Sequence, residues 1–261
     1  MNVELHVERR LYFGARDFIN RQLDSKMGNG MTSKGEIDNY RTTARVVGVV
    51  YLAGFVVGIG GNIMIQSILG VSNRLSTLSA HSMMLAIGAT LWLLAVAGDA
   101  AHGVLMFPVL KQRSERMAVG YIAARIIDAV FIAIMVLFVL IQIPLGNEYL
   151  KAVVADASYF QALSNTFAQA QLYAYEIGMG ALGVSGLVLC YTLFKAKLVP
   201  RWLAVWGLVG YATILFGMLS AIMGSGLGDA SSIPGGLWEV LIGVWLIVKG
   251  FNSPAIASGS A

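Results

Sequence analysis

The sequence is poor in charge and in cysteine. Only 12% of its 261 residues are charged, against about 25% in a typical soluble domain, whereas 57% are hydrophobic. A soluble fold of this length needs a more polar surface, so the composition excludes an ordinary soluble protein. The single cysteine, Cys190, lies inside an apolar run. It excludes a disulfide within the chain and predicts a packing role.

Histidine is also scarce, which limits metal and haem chemistry. His81 and His102 are about 21 residues apart, or ~31 Å along one helix, too far to ligate one ion together. A mixed site of His102 with carboxylates lacks a recognisable ligand spacing. No glycine-rich phosphate loop follows a strand, and no nucleophile precedes an evident His–acid pair. We therefore predict no metal, no cofactor and no catalytic residue set.

Long apolar runs are what the chain has in abundance. Most of the six runs exceed the ~20 residues that a helix needs to cross ~30 Å of hydrocarbon. The runs cover residues 46–69, 83–110, 118–143, 170–194, 202–223 and 233–248. They predict an all-α polytopic membrane protein, with a six-transmembrane-helix bundle in a domain at 41–261. The loop at 144–169 is long enough for a helix of its own at the outer surface.

The positions of Lys and Arg near the span ends predict the orientation. One side of the membrane receives only Arg74 and Lys151, and the other side receives nine basic residues. These nine are Arg41, Arg45, Lys111, Arg113, Arg116, Lys195, Lys197, Arg201 and Lys249. Since basic loops stay in the cytoplasm, both termini are predicted to be cytoplasmic. The net charge of +4 therefore reflects topology, and no nucleic-acid partner is predicted.

Residues 1–40 are predicted to form a separate segment. Apolar residues recur at helical spacing from Val7 to Phe18, and charges of both signs fill the other positions. We predict an amphipathic helix at the cytoplasmic interface, or docked on a partner, with a plain surface helix as the alternative. The glycines at 28, 30 and 35 then indicate a flexible joint before the membrane domain.

Several blocks, in one order, carry a resemblance to a known family. They are FPVLK at 107–111, AVGY at 118–121 with Arg125, DASYFQ at 156–161, KLVPRWL at 197–203 and WLIVKGFN at 245–252. Over about residues 40–261 the chain resembles the bacterial membrane proteins grouped as domain of unknown function 4386. The resemblance implies a six-helix integral protein of the bacterial inner membrane, without an assigned activity. An acidic residue at Glu239 fits the family pattern, whereas Asp99 and His102 lie outside it.

Five ionisable residues lie deep in the apolar runs, at Asp99, His102, Arg125, Asp128 and Glu239. At helical rise they are ~12–16 Å from the basic end of their spans, near the midplane. A charge there costs at least ~2.5–3.5 kcal/mol on insertion scales, so each one needs a partner or a purpose. Asp99 and His102 share a helix face, as do Arg125 and Asp128. We predict one midplane polar belt in which Arg125 pairs with a carboxylate.

Three carboxylates against one guanidinium leave this belt with excess negative charge. Either one carboxyl is protonated, or His102 is charged, or a cation or cationic ligand enters. The alternative for Arg125 and Asp128 is an ion pair that only holds helices in register. For Glu239, the sequence leaves a functional and a structural role equally open.

The predicted polar belt is not accompanied by residues at the spacing of a catalytic site. This combination favours a non-enzymatic bundle that binds a lipid, a small ligand or a partner protein. The alternative is a proton- or cation-coupled transporter in which Asp99, Asp128 and Glu239 exchange protons. A second alternative is an intramembrane enzyme with Asp99, His102 and Glu239 in acid–base roles. The oligomeric state is left open by all three hypotheses.

Small and polar residues in the first run predict helix–helix contacts. Gly54 and Gly58 form a G-x-x-x-G pattern, which typically lets a neighbouring helix approach closely. Asn62 and Gln66, four residues apart, are predicted to hydrogen-bond a neighbouring helix.

Overall fold

The structure, a computed structural model, describes residues 33–151 and 157–252, with side chains from Tyr40 onward. These residues form nine helices and no strand. The long helices are α1 Ser33–Leu69, α3 Ser82–Lys111, α4 Glu115–Leu140, α6 Ala157–Ala196, α7 Arg201–Ile222 and α9 Ile233–Val248. The short helices are α2 Arg74–Ala80, α5 Gln142–Lys151 and α8 Gly228–Ser231. Within these described residues, six stretches are long and apolar enough to cross a membrane.

These six stretches confirm the predicted all-α, six-span architecture and imply a bilayer as its environment. Three boundaries differ from the prediction. The first helix, α1, begins at Ser33 rather than at 46. The third span, predicted to end at residue 143, gives way after Leu140 to the separate helix α5. The fourth span lies in helix α6, which begins at Ala157 rather than at residue 170 and has 40 residues. Its length of ~60 Å is about twice the hydrocarbon thickness, so its first turns project beyond the apolar layer.

Side-chain hydrogen bonds explain why α6 continues past the apolar run. The Gln142 amide donates to the Ser164 carbonyl at 3.2 Å, and the Ser164 hydroxyl donates to Oε1 of Gln142 at 2.9 Å. These bonds tie the first turns of α6 to α5, a buried polar contact that hydrophobicity alone does not reveal. The predicted outer helix within 144–169 is thus divided between α5 and the start of α6.

The turns rich in Lys and Arg lie together at one end of the bundle, here called the basic end. Asn252, just after α9, donates from its backbone N–H to the Leu198 carbonyl at 2.8 Å and from its side chain to the Lys197 carbonyl at 2.7 Å. The Gln112 amide after α3 hydrogen-bonds the Tyr40 hydroxyl at the start of the membrane part of α1. The helices therefore alternate in direction, as six consecutive spans require.

The predicted N-terminal amphipathic helix lies in the first 32 residues, outside the described residues. The division of the chain near residue 40 therefore stays a prediction.

Glycines on α6 allow two neighbouring helices to pack closely against it. A Cβ at Gly178 would lie 3.0 Å from Ile132 of α4, and one at Gly183 would lie 2.9 Å from Leu215 of α7. At Gly186 a Cβ would overlap the ring of Tyr211, also on α7. Gly180 of the same helix has open space around it. The contacts are thus confined to the α6 faces that meet α4 and α7.

We expect Gly186→Ala to lower the free energy of unfolding by about 1–3 kcal/mol, because the methyl group forces the Tyr211 ring to move in a packed core. Gly180→Ala is the matched control, since it adds the same methyl group to the same helix without a contact. It should be neutral or gain up to about 1 kcal/mol from helix propensity. The measurement is denaturant unfolding in micelles, and equal stability of the two variants would contradict this packing.

Candidate functional site

The deep polar residues of α3 and α4 meet in the middle of the bundle. Arg125 of α4 is 3% exposed. Its Nη1 lies 3.0 Å from Oδ1 of Asp99 on α3 and 3.3 Å from Oδ2 of Asp128 on α4. The Asp128 side chain is buried, whereas that of Asp99 is 36% exposed. The guanidinium of Arg125 therefore pairs with two carboxylates, of which that of Asp128 is buried and that of Asp99 is partly exposed.

Local structure brings these groups to one level. Ser114 caps α4 by accepting a hydrogen bond from the Met117 backbone N–H at 3.3 Å, so the chain reverses direction within a few residues of α3. The polar pairs of α3 and α4 then occupy matching depths on antiparallel helices. A Cβ at Gly103 would lie 3.4 Å from Cβ of Arg125. The absence of a side chain there lets Arg125 lie close against α3.

Tyr121 and Arg125 both contact the Nδ1 nitrogen of His102. Arg125 Nε donates to the Tyr121 hydroxyl at 3.3 Å, and that hydroxyl lies 2.5 Å from Nδ1 of His102. Arg125 Nη2 is 3.4 Å from the same nitrogen. Because a guanidinium can only donate, these contacts fit an imidazole that accepts at Nδ1 and carries its proton on Nε2. That Nε2 is buried without a hydrogen-bond partner among the described residues.

Glu239 of α9 is anchored separately. The Tyr211 hydroxyl on α7 donates to its Oε1 at 2.6 Å. Tyr211 is itself 1% exposed, and its ring packs edge-on against Trp238 with centroids 5.3 Å apart. No described residue hydrogen-bonds the second carboxylate oxygen of Glu239. The carboxylate is therefore oriented by one bond and keeps one oxygen available.

A cavity of about 710 Å³ connects these groups. Asp99, His102, Arg125 and Glu239 all form part of its wall, and Asp128 adjoins it through its ion pair with Arg125. Apolar and aromatic side chains from α1, α3, α4, α6 and α7 supply much of the rest. Examples are Tyr51, Phe55, Trp92, Met135, Tyr175 and Ile214. The cavity thus has the mixed lining and the size that are typical of small-molecule sites.

Carboxyl groups outnumber basic groups around the cavity. Arg125 is shared by Asp99 and Asp128, while Tyr211, a neutral group, is the one hydrogen-bond donor to Glu239 among the described residues. With His102 neutral, a protonated carboxyl or an entering cation would have to balance the belt.

Tyr121 and Tyr211 also contact the groups of this site, although neither was among the predicted site residues. Tyr121 lies four residues before Arg125 on the same helix face, so its spacing was a usable signal. Tyr211 lies 28 residues from Glu239 in an otherwise apolar span. Only the packing of α7 against α9 shows that these two side chains meet.

The contacts predicted for small and polar residues of α1 are wrong. A Cβ at Gly54 or Gly58 would have no atom within 4 Å, so these glycines hold no helix close. Asn62 and Gln66 are exposed, and neither side chain hydrogen-bonds another described residue. All four residues line the cavity. The face of α1 that carries them borders open volume, so their pattern reflects the cavity and not a helix interface.

Metal ligation is not supported by the geometry. Across residues 33–151 and 157–252 there is no group of three His, Cys, Asp or Glu residues that could hold a metal ion. At the belt the reason is Arg125, whose guanidinium already bridges Asp99 and Asp128.

The comparisons with known proteins agree with the fold. No curated protein and no solved structure matches the chain. One family model, described as a domain of unknown function (DUF4386), matches residues 46–250 and so includes all six spans. The chain therefore belongs to the DUF4386 family of proteins.

Proposed function

We propose that this protein is a membrane-embedded binding protein that takes a small ligand into its central cavity. The observation that carries the proposal is that Asp99, His102, Arg125 and Glu239 all line one cavity of about 710 Å³. Structural ion pairs that only hold helices in register need no such volume beside them. A lipid or small molecule fits better than a partner protein, because the polar groups face the interior of the bundle.

The arrangement of the carboxylates supports binding. Asp99 uses Oδ1 for Arg125, and Glu239 uses Oε1 for Tyr211, which fixes both groups in place. Each keeps a second oxygen that no described residue hydrogen-bonds. Groups held in advance lose little conformational entropy when a ligand arrives, so the site is preorganised for one.

We further propose a bacterial inner-membrane location with the basic end in the cytoplasm, because basic residues near span ends are retained on that side. Asp229 and Ser232, which lie between α7 and α9 at the opposite end, also line the cavity. The ligand site then extends from the midplane toward the outer side of the membrane.

Native mass spectrometry of gently extracted protein tests the binding proposal. We expect a bound species of small-molecule or lipid mass that remains after detergent removal in the gas phase. If none is retained, the protein should acquire one from a total bacterial lipid and metabolite extract. A protein that stays free of any bound species in both experiments would contradict the proposal.

A second candidate function, proton- or cation-coupled transport, is favoured by the excess of carboxylates over Arg125. In proteoliposomes that contain a pH-sensitive dye, a pulse of Na⁺ or K⁺ is then expected to drive proton movement. Glu239→Gln should abolish that movement, because it keeps the shape of the side chain and removes the titratable group. Glu115→Gln, on an exposed residue at the basic end, is the control. Unchanged proton movement in Glu239→Gln would remove Glu239 from the coupling mechanism.

A further inference from the structure

We infer that the ligand is a cationic amphiphile, an amine or quaternary ammonium group with an apolar chain, which reaches the cavity sideways from the bilayer. This inference rests on the proposed function, since it names the class of ligand for the same cavity. The sign of the charge, the aromatic wall and the exposed rim of the cavity each support it.

The charge of the headgroup follows from the donors and acceptors in the wall. Arg125 alone, of the Lys and Arg residues in the described part of the chain, lines the cavity. Its Nη1 serves Asp99 and Asp128, its Nε serves Tyr121, and its Nη2 faces His102. Arg125, the one basic side chain of the wall in this part of the chain, therefore has little donor capacity left for a phosphate or carboxylate headgroup. An anion would also approach a wall in which carboxyl groups outnumber the single guanidinium.

For a positively charged headgroup, by contrast, the wall offers carboxylate oxygens as acceptors. Asp99 on α3 and Glu239 on α9 each present an oxygen without a hydrogen-bond partner in the described structure. Asp229 adds an exposed carboxylate at the outer part of the same cavity. One ammonium group at the midplane would reduce the charge excess that Arg125 leaves uncompensated. The carboxylate of Asp229 likewise favours a cation over an anion along the path to the midplane.

Aromatic side chains provide a second feature that suits a cation. Tyr51, Phe55, Trp92 and Tyr175 all line the cavity, and the rings of Trp92 and Tyr175 pack edge-on with centroids 6.4 Å apart. The faces of such rings attract ammonium groups, and quaternary ammonium ions are commonly recognised by carboxylates together with aromatic walls. The rings also offer apolar surface to the remainder of the ligand.

The rim of the cavity indicates how a ligand enters. Ile59 and Ile63 of α1 line the cavity and are also 56% and 64% exposed, and Leu172 of α6 is 47% exposed. Ile59 lies ten residues before Leu69, or ~15 Å from that end of α1. This distance places Ile59 at the depth of the hydrocarbon layer. A mouth bordered by apolar side chains at that depth opens to lipid chains. A ligand using it needs an apolar part that is soluble in the bilayer.

The test uses the full chain in phosphatidylcholine nanodiscs and three probes below their micellar concentrations. Decyltrimethylammonium has both features, decyl sulfate has the same chain with the opposite charge, and tetramethylammonium lacks the chain. We expect decyltrimethylammonium to bind at least tenfold more tightly than either of the others, measured by native mass spectrometry and by tryptophan fluorescence. Asp99→Asn and Glu239→Gln should each weaken it at least fivefold, while Glu115→Gln should not.

Each contrary result overturns a defined part of the inference. Equal or tighter binding of decyl sulfate overturns the positive headgroup but leaves a ligand-binding cavity. Equal binding of tetramethylammonium overturns the apolar chain and the lateral entry. Unchanged affinity in both Asp99→Asn and Glu239→Gln overturns the site itself. If no probe binds and no species co-purifies with the protein, the proposed function fails as well.

Discussion

Arg125→Leu is expected to lower the free energy of unfolding by about 3–5 kcal/mol, because it leaves the buried carboxylate of Asp128 without its counter-charge. The side chain of Asp128 is 2% exposed, so solvent cannot replace the lost guanidinium. The substitution also removes the donors to Tyr121 and His102. Reversible unfolding in mixed micelles, followed by circular dichroism, measures the change.

Two further variants make this prediction specific. Arg116→Leu removes an exposed arginine from the first turn of the same helix and should change stability by less than about 0.5 kcal/mol. Adding Asp128→Asn to Arg125→Leu should recover part of the loss, because the enclosed charge is then gone. Adding Asp99→Asn should recover less, since Asp99 is 36% exposed and can be hydrated from the cavity. Equal stability of Arg125→Leu and Arg116→Leu would show that the ion pairs do not stabilise the bundle.

Gly58→Phe is expected to abolish ligand binding while the protein remains folded. A Cβ at Gly58 would have no atom within 4 Å, and this position lines the cavity. The benzyl group therefore extends into open volume and displaces the ligand without forcing core side chains apart. The helix should not weaken, because glycine is among the poorest residues for a helix interior. Native mass spectrometry should show loss of the bound species, and thermal unfolding should be unchanged.

Gly120→Phe is the matched control for this experiment. Gly120 lies on α4, is exposed, and likewise has no atom within 4 Å of a built Cβ, but it does not line the cavity. The control should keep its bound species. Retention of the species in Gly58→Phe would mean that the ligand binds elsewhere and that the central cavity is not the functional site.

Much of the site could be predicted from residue spacing. Asp99 and His102 are three residues apart, as are Arg125 and Asp128, and a short basic turn joins their helices. Such local geometry requires the pairs to share a face and a depth, and the contacts of Arg125 agree with it. Tyr121 lies within reach of the same reasoning, because it is one turn from Arg125.

Contacts between residues on helices distant in sequence could not be predicted from spacing. The bond from Tyr211 to Glu239 depends on how α7 packs against α9, where Gly210 would place a Cβ only 2.8 Å from Gly235. The cavity depends on α1, whose Gly54 and Gly58 look like a packing motif but border open volume. Periodicity identifies a helix face, but it does not identify what lies opposite that face.

The sequence by itself determined the number of spans and which charged residues lie inside them, because the length of an apolar helix and the cost of burying charge are local properties. Tertiary structure alone decided which charges meet, which tyrosines hold them and where volume is left unfilled. Those properties depend on contacts between helices far apart in the chain. Here the contacts place Arg125 between two aspartates and bring Asp99 and Glu239 into the wall of the same cavity.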